Sequence, residues 1–200
     1  MSIDTDDITA VILAGGRGLR FEGQDKGLVK LNGKPMIEHI LERLKPQIPA
    51  IIINANRNQE RYKAYGLPVI SDTLSNYQGP LAGIASALQS VQTQYILTLA
   101  CDAPLLPLNY VAKMRKTLND TQSQNAIVVA HDGKTLQTVH ALIPVLLLDS
   151  LQTYLTQGHR KVESWYADHN MQRADFSENA EAFENINTQT QHLKIEQASS

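Results

Sequence analysis

Ala10-Val-Ile-Leu-Ala-Gly-Gly-Arg-Gly-Leu-Arg-Phe-Glu-Gly-Gln-Asp-Lys26-Gly27 is the stretch on which the rest of the chain turns. The apolar run Ala10–Ala14 predicts a buried strand. It breaks into a loop that holds Gly15, Gly16, Gly18 and Gly23, with Arg17 and Arg20 among them and Lys26 at its close. Glycines let backbone turn through positive φ and approach a ligand closely. Consecutive N–H groups in such a loop form a concave anion site. With three cations around it, the simplest ligand is a polyphosphate.

Two familiar phosphate loops do not fit. A Walker loop needs Gly-x4-Gly-Lys-Ser/Thr; Gly18 and Gly23 have the glycine spacing, but Gln24-Asp25 follow. A dinucleotide fingerprint needs Gly-x-Gly-x-x-Gly; Gly16 and Gly18 begin it, and Phe21 stands where the third glycine belongs.

Outward from the loop, strand-like and helix-like segments alternate. Pro35 opens a helical spacing at Met36, Ile37, Ile40, Leu41 and Leu44 that Pro46 stops. Ala50–Ile53 reads as a strand ending in Asn54, Asn58–Ala64 as a polar helix, and Leu67–Ile70 as a strand ending at Ser71-Asp72. Gly79-Pro80 caps a helix, with proline at its first position. Tyr95–Ala100 is the clearest core strand and ends at Cys101-Asp102. Pro107–Leu118 reads as a helix, Ala126–Ala130 and Thr138–Ile143 as strands, and Val145–Leu155 and Lys161–His169 as helices. Met171–Phe176 and Phe183–Ile186 are strand candidates, and Thr188 starts a terminal helix. The pattern predicts an α/β fold: a three-layer α/β/α domain on a mostly parallel, Rossmann-like sheet, with an antiparallel strand in the C-terminal half. Residues 1–200 are expected to form one domain with an ordered core over about 8–193.

The formal net charge of −2 opposes an electrostatic nucleic-acid binder. A single cysteine excludes an intrachain disulfide and fits a reducing compartment. The acidic start lacks a signal-peptide core, and no apolar run approaches the ~20 residues of a membrane span. A cytoplasmic enzyme without membrane or nucleic-acid partners is expected.

Ligands in open parallel sheets bind beyond the carboxyl ends of the strands. The glycine loop, Asn54-Ala-Asn56, Asp72 and Asp102 each follow a strand here. An isolated Asn or Asp after a strand is ordinary turn chemistry; three such ends beside one anion loop point to a site. Asp102 is either an Asx turn before Pro104 or a Mg²⁺ ligand, since Mg²⁺ is typically held by one or two carboxylates plus substrate phosphates. Lys26 closes the loop and can offset charge on a reacting phosphate. Asp25 either orients Lys26 or stabilises the loop. Cys101 reads as a small buried hydrophobe, and His39 as a surface residue. Zinc spacing and a serine-hydrolase elbow are both absent from the sequence.

The chain resembles the molybdenum cofactor guanylyltransferase (MobA) family. The likeness rests on Leu13-Ala-Gly-Gly16, Asp25-Lys26-Gly27, Leu31-Asn-Gly-Lys-Pro35, Asn54-Ala-Asn56-Arg57, Ser71-Asp72, Gly79-Pro-Leu-Ala-Gly83 and Cys101-Asp-Ala-Pro104, in that order. Gly158-x-Arg160-Lys161-Val162 and Phe183-Glu-Asn-Ile-Asn-Thr188 extend it, so that it spans about Ile8 to Leu193. The resemblance implies GTP bound with Mg²⁺, attack of the terminal phosphate of molybdenum-molybdopterin on the α-phosphorus, and release of pyrophosphate. It implies nucleotide contacts from Leu13, Ala14, Gly15, Gly16, Lys26, Asn54, Asp72, Gly79, Pro80 and Asp102. Lys26 and Asp102 would be catalytic, with Asp102 the metal ligand. Arg160, Lys161, Asn185 and Asn187 would face the pterin. A solvated basic helix start is the alternative for Arg160 and Lys161. The resemblance also implies transient contact with a molybdenum-insertion enzyme and with chaperones of recipient molybdoenzymes. The chain departs from the family at Gly18-Leu19, Phe21-Glu22, Gln137-Thr138 and Gln189. Two other functions remain open: a related nucleotidyltransferase using CTP or UTP on a pterin, sugar or isoprenoid phosphate, and a nucleotide-binding module without chemistry.

Overall fold

The computed structural model describes residues 2–14, 25–73, 79–121 and 123–184. The strands are β1 (Ile8–Leu13), β2 (Lys30–Leu31), β3 (Lys34–Pro35), β4 (Ile51–Asn54), β5 (Val69–Ile70), β6 (Tyr95–Ala100), β7 (Val128–His131), β8 (Leu136–Pro144) and β9 (Gln172–Asp175). The α-helices are α1 (Met36–Leu44), α2 (Gln59–Lys63), α3 (Pro80–Ser90), α4 (Tyr110–Asn119), α5 (Leu148–Thr156) and α6 (Val162–Ala167). Seven strands form one sheet in the order β5-β4-β1-β6-β8-β7-β9, while β2 and β3 make a separate hairpin. Its turn, Asn32-Gly33, has positive φ at both residues (50° and 77°), the backbone that a two-residue hairpin needs.

The expected three layers are present. β1 pairs in parallel with both β4 and β6, and β4 with β5. β8 runs antiparallel to both β6 and β7, and β9 returns parallel to β7. Among the described strands, β8 is the reversed one. Central strands of such a sheet are covered on both faces and therefore read as unbroken apolar runs: β6 is buried along its whole length and β1 up to Ile12. Their side chains alternate between two cores. Ala10, Ile12, Leu97 and Leu99 face α1, α2 and α4. Val11 and Ile96 face α3, α5 and α6.

Helix positions follow the predicted spacing within a few residues. Two expectations are corrected. Phe183–Ile186 is not a strand over its described part, because Phe183 ends a 3-10 segment, Ser177–Phe183. The Phe183 ring enters an aromatic cluster, 5.3 Å from Phe176 and 6.5 Å from Tyr110 between centroids. Two apolar residues three apart suit a helical turn as well as a strand, and this packing selects the turn. His39 is half-buried rather than on the surface. Its Nε2 donates to the Leu31 carbonyl at 2.9 Å and ties α1 to the β2–β3 hairpin. The terminal helix expected from Thr188 lies outside the described residues.

His140 on β8 is buried in the same aromatic cluster, with its ring centroid 5.0 Å from that of Phe183. Its Nδ1 has no hydrogen-bond partner among the described residues. Burial holds its pKa down, from 6.5 to about 3. The unfolded chain therefore takes up a proton that the folded chain refuses once the pH falls below about 6.5. Stability present above that value is lost as the pH falls toward 3, at up to about 1.4 kcal/mol per pH unit. His140→Leu should remove this component: its Tm, measured from pH 7.5 down to pH 5, should fall less than that of the wild type. Parallel declines would show that His140 contributes nothing to acid sensitivity.

Candidate functional site

The register puts the carboxyl ends of the parallel strands side by side. Leu13, the last residue of β1, lies opposite Asn54 of β4 and Ala100 of β6. Ala14 then donates its N–H to the Asn54 carbonyl at 2.8 Å, and Cys101 donates to the Leu13 carbonyl at 3.3 Å. Asn54 and Asp102 therefore stand at ends two strands apart, roughly 10 Å across the sheet.

Two polar clusters occupy this edge. In the first, Lys26 Nζ meets Asp102 Oδ2 at 2.7 Å, with side chains 25% and 10% exposed. Lys26 begins a 3-10 turn, Lys26–Leu28, and Asp102 is the second residue after β6. In the second, Asp72 takes Asn54 Nδ2 on Oδ1 at 3.0 Å and Asn56 Nδ2 on Oδ2 at 2.8 Å. The Asp72 N–H donates to Asn56 Oδ1 at 2.8 Å, so Asn56 holds both the backbone and the carboxylate of Asp72. Asn54 itself is almost fully buried.

Gly79 and Pro80 sit exposed at the start of α3. Gly79 has φ 120°, a conformation open to glycine and strained for other residues. One turn in, a methyl group on Gly83 would come 2.7 Å from Asn54 Oδ1 and 3.1 Å from Leu13 Cδ2. Glycine at 83 thus lets α3 pack directly on the strand-end asparagine.

Of the site residues expected from sequence, the structure brings Leu13, Ala14, Lys26, Asn54, Asp72 and Asp102 to this edge. Gly15, Gly16, Asn185 and Asn187 lie outside the described residues. Arg160 and Lys161 form the exposed link between α5 and α6. Arg160 Nη1 donates to the Leu155 carbonyl at 2.9 Å and to the His159 carbonyl, so its guanidinium caps the end of α5. The Tyr154 hydroxyl donates to the Lys161 carbonyl at 2.9 Å. This pair has a structural duty that its sequence does not announce.

A third cluster gathers around Asp25, and its partners Tyr62 and Asn58 are the residues that sequence reasoning misses. Asp25 is buried and accepts from the Tyr62 hydroxyl at 2.5 Å and from Asn58 Nδ2 at 3.2 Å. Tyr62 is fully buried, and burial pushes its hydroxyl pKa far above the usual value. One signal was available: Tyr62 is a single large ring in an otherwise polar helix. Cys101 is buried too. Burial, and then the Asp102 carboxylate, push its thiol pKa well above the ordinary range, in keeping with a packing role.

Among the described residues, no group of three or more His, Cys, Asp or Glu side chains is placed to hold a metal ion. Nor is any helix long and apolar enough to cross a membrane. A single strand-end carboxylate is instead what a Mg²⁺ ion needs when substrate phosphates and water complete its shell. Asp102 fits that requirement.

Residues 10–174 match the family model described as MobA-like NTP transferase domain. A protein of Shewanella sediminis called molybdenum cofactor guanylyltransferase is 48% identical over 192 residues, 96% of each chain. One of the same name from Shewanella woodyi is also 48% identical over 192 residues, again 96% of each chain. Among solved structures, molybdopterin-guanine dinucleotide biosynthesis protein A of Archaeoglobus fulgidus superposes with a TM-score of 0.78 at 22% identity, covering 96% of this chain and 98% of that one. A 4-diphosphocytidyl-2C-methyl-D-erythritol synthase of Anaerococcus prevotii gives 0.73 at 15% identity, covering 99% and 98%. At such identities these two structures establish a shared fold.

Proposed function

The chain belongs to the MobA-like NTP transferase family, and from that membership we propose that it transfers GMP from GTP to the terminal phosphate of molybdenum-molybdopterin, releasing pyrophosphate. The observation that carries the site assignment is the Lys26–Asp102 pair at 2.7 Å, set at the end of β6 beside the end of β1. A module that only binds nucleotide needs no metal ligand at the α-phosphate, which favours the catalytic reading. One transferase domain spans the chain, supported by the single sheet that runs from β5 to β9.

In the free protein Lys26 and Asp102 hold each other in place. A triphosphate seated beyond β1 would take the ammonium onto its oxygens; Asp102 would then hold Mg²⁺, which would neutralise phosphate charge. The acceptor phosphate is already anionic, so no side-chain nucleophile is needed. Its oxygen forms a bond to the α-phosphorus as the α–β bridging P–O bond breaks, and the electron pair leaves with pyrophosphate. Lys26 offsets the charge that grows on those oxygens, and the chain's main task is alignment. The Asn54–Asn56–Asp72 cluster is suited to the nucleoside. Its anchored carboxylate is an acceptor for donor N–H or hydroxyl groups. Gly79 and Pro80, exposed at the start of α3, are proposed to contact the nucleotide, and Gly15 and Gly16 to meet the phosphates. Arg160, Lys161, Asn185 and Asn187 are proposed for the pterin side.

The test is incubation with Mg²⁺, molybdenum-loaded molybdopterin and each of GTP, ATP, CTP and UTP, with pyrophosphate release measured and the pterin product weighed by mass spectrometry. GTP should turn over, and the product should gain one GMP. Turnover with CTP and not GTP would contradict the assignment.

A further inference from the structure

Asp25, Tyr62 and Cys101, all buried, stand directly behind Lys26. Asp25 precedes it in the chain and accepts from Tyr62 and Asn58 of the α2 region. The Asp25 carbonyl accepts from the Leu28 N–H at 3.0 Å, so the turn that carries Lys26 is built on the anchored Asp25. Gly27 is wedged between the same tyrosine and the active edge. A methyl group there would come 2.6 Å from the Tyr62 hydroxyl oxygen and 3.3 Å from Cys101 Cβ. Cys101 in turn leads into Asp102. The backbone from Asp25 to Gly27 is thus clamped between α2 and the end of β6, and the one long side chain between those two residues meets Asp102.

We infer that Tyr62 is a positioning residue for Lys26: through its bond to the Asp25 carboxylate it fixes the turn that aims the ammonium at the reacting phosphate. This rests on the proposed transfer reaction for its kinetic consequence, but not for its geometry. An ordinary core tyrosine would contribute packing and stability. This one would in addition set the place of a side chain on a neighbouring segment. Misplacing a catalytic group by about 1 Å can cost 10²-fold. The loss should fall chiefly on kcat, because Lys26 meets charge that grows in the transition state.

Tyr62→Phe keeps the ring and removes the hydroxyl. It should lower kcat by between about 10- and 100-fold, change KM for GTP less, and lower Tm by only a few degrees. Asp25→Asn should do the same, and the double variant should lose no more than the worse single one, since the two act through one bond. A second readout needs no turnover: the rate at which an amine-acetylating reagent modifies Lys26, followed by peptide mass spectrometry with the exposed Lys116 as internal reference. In the wild type the Asp102 pairing should protect Lys26, and Tyr62→Phe should raise its rate several-fold with Lys116 unchanged. If Tyr62→Phe does not fold, Asp25→Asn carries both measurements. Wild-type kcat with only a lowered Tm, or an unchanged Lys26 labelling rate, would overturn the inference. A wild-type protein that makes no guanylated product would refute the proposed function instead, and the labelling rate would still decide the role of Tyr62.

Discussion

Lys26→Met should lower guanylyl transfer by about 10²–10³-fold and leave the fold intact. Removing one preorganised charge aimed at a developing oxyanion typically has that effect, equivalent to about 3–4 kcal/mol of transition-state stabilisation. Methionine keeps most of the length of the stem while deleting the ammonium. The turn over Lys26–Leu28 is held by backbone bonds and by Asp25, not by the Lys26 head group. The far-ultraviolet circular dichroism spectrum should therefore match the wild type. Single-turnover rates with GTP check the prediction, and a variant within threefold of wild type would remove Lys26 from the chemistry.

Asp102→Asn should have an effect at least as large, and of a different kind. The substitution is isosteric, so β6 and the loop to Pro104 keep their shape. It removes the one charged oxygen donor at the end of β6 and leaves an amide, a poor partner for a hard cation. Turnover should fall by about 10³-fold, and the dependence on Mg²⁺ concentration should shift to much higher values. Combined with Lys26→Met it should cost little more than either alone, because the two groups act on the same triphosphate as a unit. Additive losses would mean that the pair serves two separate functions. Full activity in Asp102→Asn at ordinary Mg²⁺ would dismiss the metal role.

Much of this arrangement is visible in the chain itself, for a physical reason. Ala10–Leu13 is apolar throughout, and Tyr95–Ala100 is apolar but for Thr98, because both faces of a central parallel strand are covered, and that signal is local. The polar residues that follow such runs, Asn54, Asp72 and Asp102, sit at one edge by the geometry of parallel strands alone. The family motifs then add the chemistry that spacing cannot supply. What the sequence hides is whatever depends on contacts across the fold. Tyr62 looks like a stray aromatic in a polar helix until α2 is folded onto Asp25, 37 residues earlier. Gly83 looks like a weakness in a helix until α3 is laid against Asn54. Arg160 reads either as a pterin contact or as a solvated helix start, and only the folded chain shows its guanidinium reaching back to carbonyls of its own segment. The antiparallel strand in the C-terminal half is legible in the sequence, but the order β8-β7-β9 is not, because it depends on β8 reaching β6 and β9 reaching β7 across intervening elements.

The Asn54–Asn56–Asp72 cluster is proposed to face the nucleoside, because its carboxylate is held on both oxygens and its backbone on a third bond.

The most direct measurement is a crystal structure with Mg²⁺ and a GTP analogue whose α–β bridge cannot be cleaved. The account predicts the triphosphate beyond the end of β1, Lys26 on its oxygens, Asp102 on the metal, and the nucleoside beside Asn54 and Asp72. A nucleotide seated elsewhere on the sheet, with the Lys26–Asp102 pair undisturbed, would contradict it.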